Sequence, residues 1–158
     1  MRIHTYERAF LVVGALMLVV FMGALAYASL SMGIELPGRS GLIDPAAVAE
    51  TPPFDEPGVW RGADGTYEVV LIARAWGFEP SEVRVPAGSE VTIYATATDV
   101  IHGLQVEASR VNMMLIPGQI SRNHYTFDTP GEYRMLCHEY CGIGHHVMAG
   151  KFIVEGSE

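Results

Sequence analysis

Hydrophobic and polar positions divide this chain into three stretches that follow different rules. From Ala9 to Ile34 no charged residue occurs, and Ala9–Tyr27 is almost wholly apolar. About 20 such residues, rising 1.5 Å each, cross a hydrocarbon layer roughly 30 Å thick, so one transmembrane helix is expected over residues 9–32. Between residues 33 and 61, Pro37-Gly38, Pro45, Pro52-Pro53 and Pro57-Gly58 interrupt every periodicity. That pattern predicts a linker outside the membrane, with at most one helical turn over Ala46–Glu50. From Thr66 onward period two takes over: Val69, Leu71, Ala73 and Ala75 alternate with Glu68, Val70, Ile72 and Arg74, and Val91, Ile93 and Ala95 with Thr92, Tyr94 and Thr96. Further strands are expected over 103–107, 122–127, 132–137 and 151–155, with turns at Pro86-Ala87-Gly88, Pro117-Gly118 and Pro130-Gly131. The prediction is a mainly β domain over residues 62–158, an antiparallel sandwich or barrel.

Charge gives the apolar stretch a direction. Arg2 and Arg8 precede it and Glu35 follows, so the positive-inside rule puts residues 1–8 in the cytoplasm and everything after the helix outside. A cleaved signal peptide is the rival reading, with Arg2 and Arg8 as its basic region and Ala26-Tyr27-Ala28 resembling a cleavage site. The apolar run exceeds the 7–15 residues typical of such peptides, which favours a retained anchor. Setting aside Glu7, Arg2 and Arg8 leaves 17 acidic and 8 basic residues. Such an outer domain repels nucleic acid and attracts a basic partner.

The chemistry is concentrated in Cys137-His138-Glu139-Tyr140-Cys141-Gly142-Ile143-Gly144-His145-His146-Val147-Met148. Both cysteines of the chain lie there, with imidazoles and a thioether at the spacing C-x3-C-x3-H-x2-M. Thiolate and thioether favour soft metals, imidazole suits copper, zinc and iron, and this mixture is typical of copper electron-transfer sites. Cys137 ends one expected strand and Met148 precedes another, so the loop is held at both ends. His102, after Asp99-Val100-Ile101, opens a separate strand and can close the site from a distance. His124, His138 and His146 are expected not to be ligands, and Met113 and Met114 are expected to be core.

The arrangement His102 … Cys137-x-Glu139-x-Cys141-x3-His145-x2-Met148 behind a membrane anchor resembles subunit II of the heme-copper cytochrome c oxidases. Asp99-Val100-Ile101-His102-Gly103 and Pro130-Gly131-Glu132-Tyr133 add to the likeness, which spans nearly the whole chain. A single anchor, rather than a helical hairpin, resembles the short B-type members. The resemblance implies a cupredoxin-like Greek-key fold and a binuclear CuA centre. Cys137 and Cys141 would bridge two coppers, His102 and Met148 would complete one, and His145 with the Glu139 carbonyl would complete the other. It further implies electron delivery by cytochrome c, oxygen chemistry in a heme-bearing subunit I, further oxidase subunits, and a place in a prokaryotic plasma membrane among its lipids. By the same likeness Trp76 is a candidate electron-receiving contact, with an ordinary buried aromatic as the alternative. The Glu139 side chain is a candidate ligand of a magnesium shared with subunit I, and Glu7 could line the mouth of a proton path.

Other classes account for less. A disulfide explains two extracytoplasmic cysteines but not the adjacent His and Met. Zinc gives no reason for Met148. A mononuclear blue-copper site needs one cysteine, not two. A thioredoxin-like copper carrier would alternate helices with strands, and nitrous oxide reductase would add a large catalytic domain.

Overall fold

The computed structural model describes residues 4–31 and 38–156; Arg2 and Glu35, used above to orient the anchor, lie outside them. The chain separates into two compact units, residues 1–36 and 37–158. In the first, helix α1 runs Thr5–Ser31 with no buried residue, and it is long and apolar enough to cross a membrane. A helix apolar on every side is suited to lipid. It begins earlier than expected, taking in Glu7 and Arg8. The charge-free stretch marks only a hydrocarbon-compatible span, and backbone hydrogen bonding continues beyond it, as from Arg8 N–H to the His4 carbonyl.

The second unit is a sandwich of two sheets. Its strands are β1 (Gly38–Leu42), β2 (Gly58–Arg61), β3 (Tyr67–Arg74), β4 (Gly77–Glu79), β5 (Glu82–Pro86), β6 (Ser89–Ala97), β7 (His102–Val106), β8 (Asn112–Leu115), β9 (Gln119–Phe127), β10 (Gly131–Leu136) and β11 (Ala149–Glu155). One sheet has the order β1-β9-β6-β3-β2, with β4 also on β3, and the other β5-β11-β10-β7-β8. The inward positions, among them Val69, Leu71, Val91, Ile93, Leu104, Met135 and Phe152, form one core between the sheets.

Two expectations are corrected. The sheets are mixed rather than antiparallel: β3 runs parallel to β6, and β5 parallel to β11. The chain leaves the first sheet after β4, adds β5 to the second, and returns as β6, and such a detour permits a parallel neighbour. Nor is the stretch 38–61 a linker. β1 pairs with β9 and β2 with β3, and a short 3-10 helix over Pro45–Glu50 starts where the Asp44 side chain accepts the Ala46 N–H at 2.9 Å. Ile43, Val48 and Phe54 from this stretch cover Val70 and Ile72 on the far face of the first sheet. Prolines suppress periodicity without preventing burial, so the β domain begins well before residue 62.

Candidate metal centre

Sheet pairing brings the candidate ligands to one end of the sandwich. β7 and β10 are neighbours, with Met135 opposite Val106 and Leu136 opposite Gln105. Because the ends of β7 and β10 pair antiparallel, the start of β7 runs on past β10 to the ligand loop, where His102 stands beside Cys137. Cys137 N–H donates to the Met148 carbonyl at 3.2 Å, closing the loop where β10 and β11 begin to pair.

Both cysteines are free and buried, with their Sγ atoms 3.7 Å apart. Nδ1 of His102 lies 3.9 Å from Cys137 Sγ, and Nδ1 of His145 lies 3.6 Å from Cys141 Sγ. Met148 Sδ is 3.6 Å from Cys141 Sγ, and the Glu139 carbonyl is 3.2 Å from Cys137 Sγ. Among the described residues, His102, Cys137 and Cys141 converge closely enough to hold a metal ion. His145, Met148 and the Glu139 carbonyl stand beside the same thiol pair, so sulfur, nitrogen and oxygen atoms gather there. The set fits copper by chemical type.

Burial first, and then the neighbouring Cys137, push the Cys141 thiol up to about 11. A metal entering here therefore displaces protons as it binds.

His102 is fully buried, and its Nε2 is held 2.8 Å from Asp99 Oδ1, leaving Nδ1 turned toward the sulfurs. Burial works against the Asp99 charge, but hydrogen bonds from His102, Val100 and Ala75 outweigh it and hold the carboxyl below its usual range. A carboxylate on the outer nitrogen fixes both the tautomer and the orientation of a ligand imidazole. Sequence reasoning gave Asp99 no role; its place three residues before a candidate ligand was the available signal. On the other side, Tyr140 meets the His145 ring edge-on, with centroids 5.8 Å apart.

Trp76 is 45% exposed, and its indole N–H donates to the Cys141 carbonyl at 3.1 Å. It is thus a surface aromatic resting on the ligand loop rather than an ordinary buried one. Glu7 lies on α1, in the other unit. His124 is engaged with Thr92 and Glu90 on the sheet surface, and His146 is exposed. Met113 is core as expected, whereas Met114 is 43% exposed because adjacent strand positions face opposite ways.

A β-sandwich with thiol, imidazole and thioether groups converging at one end defines a copper-binding domain of the cupredoxin kind. A family model described as cytochrome C oxidase subunit II, periplasmic domain, matches residues 79–156. Cytochrome c oxidase subunit 2 of Thermus thermophilus is 37% identical over 157 residues, covering 97% of this chain and 94% of the relative. Among solved structures, a chain of a heme-copper terminal oxidase dimer is 33% identical at a TM-score of 0.75, covering 95% of this chain and 99% of that one. The periplasmic domain of subunit II from Bradyrhizobium japonicum, 19% identical with a TM-score of 0.52 over 56% of this chain and 83% of that one, shares the fold. The chain belongs to the cytochrome c oxidase subunit II family. It is a membrane-anchored subunit of a heme-copper oxidase, an oxidoreductase complex with further subunits.

Proposed function

We propose that His102, Cys137, Cys141, His145, Met148 and the Glu139 carbonyl hold two copper ions as a CuA centre. The observation that carries this reading is a pair of free thiols 3.7 Å apart with an imidazole Nδ1 beside each. Copper held by these two thiols, two imidazoles, thioether and carbonyl would supply one-electron transfer with little rearrangement. The chain provides the rest. Asp99 orients His102, the β10–β11 pairing holds the loop shut, and the inter-sheet core keeps water from the sulfurs. The chain would then be the point where a cytochrome c delivers electrons bound for the hemes of subunit I.

The remaining assignments follow from the same family reading. Trp76 is the candidate electron-receiving contact. Glu139 is the candidate contributor to a magnesium site shared with subunit I, and Glu7 the candidate mouth of a proton path. By the positive-inside rule Arg2 and Arg8 favour a cytoplasmic N-terminus with the copper domain outside, and the family reading adds a prokaryotic plasma membrane with lipid around α1. Copper content and electron paramagnetic resonance of the full chain in detergent, reconstituted and oxidised, test the centre. Two coppers per chain sharing one spin are expected. One copper with an ordinary four-line pattern, or a spin-silent zinc-bound or disulfide-linked protein, would overturn the reading.

A further inference from the structure

The turn between β3 and β4 touches both halves of the centre. Ala75 N–H donates to Asp99 Oδ2 at 2.7 Å, and Asp99 in turn holds His102. The very next residue, Trp76, bonds the Cys141 carbonyl. Two successive residues of one turn thus reach a distant histidine and a local thiol loop, whose His102 and Cys137 stand 35 residues apart in sequence.

The ligand loop is shaped to receive this indole. A Cβ on Gly144 would stand 2.4 Å from Cδ2 and 2.5 Å from Cγ of Trp76. Gly144 has φ −87° and ψ 7°, a turn conformation open to residues with side chains. Its missing side chain is therefore demanded by the indole and not by the path of the backbone. Gly142 differs, because its φ of +116° favours glycine whatever lies nearby. A surface aromatic that only met a partner would need neither a glycine seat nor an inward hydrogen bond.

We infer that Trp76 is a positioning residue of the metal centre: seated on Gly144 and bonded to the Cys141 carbonyl, it locks the ligand loop in register with the Asp99-held His102. The inference rests on the copper reading above. The Cys141 carbonyl belongs to a ligand residue, so tethering it restrains the thiol relative to the histidine across the site. The β3–β4 turn then acts as one clasp on both ligand sources.

The test uses the full chain in detergent, loaded with copper. It measures copper loss from the reduced protein to excess chelator, together with the spin spectrum of the oxidised protein. Partners that support metal ligands are typically worth about 10–100-fold in metal affinity. Gly144→Ala is expected to speed copper loss about tenfold or more and to alter the hyperfine pattern. Trp76→Phe, which keeps a ring but lacks the N–H, should shift both in the same direction. In a Trp76→Ala background the seat is empty, so adding Gly144→Ala should change the rate by less than about twofold, as a shared contact requires. Parental rates and spectra in both Gly144→Ala and Trp76→Phe would overturn the inference and leave Trp76 as an electron-receiving contact only. An undiminished Gly144→Ala effect in the Trp76→Ala background would overturn it too. A parent chain that held no copper would instead overturn the metal reading, and the inference with it.

Discussion

The first sheet is covered by the second sheet on one face and, around Val70 and Ile72, by residues 43–54 on the other, and the two covers differ in what they are for. Between the sheets lies the larger core, and Cys137, Cys141 and Met148 are members of it. On the far face, Ile43, Val48 and Phe54 close over Val70 and Ile72, with Phe54 fully buried and Val48 1% exposed. Both regions are dry, yet the sulfur donors for a metal belong to the first. The candidate metal centre and a share of the stability thus reside on opposite sides of one sheet, so each can be removed while the other is watched.

The hardest test of that separation is a truncation starting at Pro57. It removes β1 and the entire far cover, leaving Val70 and Ile72 facing water and β9 without its edge partner. We expect loss of cooperative thermal unfolding, with exposed apolar surface reported by dye binding. Phe54→Ala is the milder form. Emptying a site filled by a buried Phe costs about 3–5 kcal/mol, read as a lowered Tm, while copper content and spin pattern below the transition stay parental. Disruption of the copper signal in folded Phe54→Ala would show that the two faces are coupled.

Cys141→Ser attacks the inter-sheet side. The side chain is nearly isosteric, and an imperfectly satisfied buried hydroxyl costs about 1–3 kcal/mol, so the fold should survive. If the two thiols bridge a copper pair as proposed, the shared-spin signal should vanish, because one of them is gone. A normal binuclear spectrum in Cys141→Ser would sink the bridging assignment.

The two regions also differed in how legible they were. The inter-sheet core could be read from period-two alternation, since Val69, Leu71, Val91 and Ile93 each point inward from a regular strand. The ligand loop was legible because its residue types are rare and closely spaced. The far cover was not, because Val70 and Ile72 occupy positions that alternation reads as outward, and what buries them comes from irregular chain between prolines. β4 and β8, of three and four residues, are too short to display a period. The parallel pairings depend on which sheet each strand joins, a property no single strand encodes. Asp99 and Gly144 have roles visible only once the turn after β3 is seen beside the loop.

Met148→Leu probes the boundary between core and metal site at smaller amplitude. Met148 is 2% exposed and belongs both to the core and to the donor set. Leu conserves volume, so the expected cost is below about 1.5 kcal/mol. Two coppers should remain, with a shifted reduction potential, since the weak sulfur ligand tunes the potential more than it holds the metal. Loss of one copper would give Met148 a holding role instead.

The smallest effect belongs to a surface pair that bridges the ligand strands. Arg134 on β10 donates a fork of hydrogen bonds, Nε at 2.9 Å and a terminal amine at 2.6 Å, to Glu107 just past β7. Those hydrogen bonds hold the Glu107 carboxyl below its ordinary value of 4.5. A carboxyl lowered by folding stabilises fully above its unfolded value and loses that contribution as pH falls through the folded one. Arg134 is largely in water and Glu107 partly so, and solvent and salt screen the pair. Glu107→Gln should therefore shift Tm only slightly at neutral pH, and the difference from the parent should disappear in acid. The copper spectrum should not change. The strands carrying His102 and Cys137 are held by the Met135–Val106 and Leu136–Gln105 register, and a spectral change in Glu107→Gln would mean that the ion pair, rather than this register, sets the distance between them.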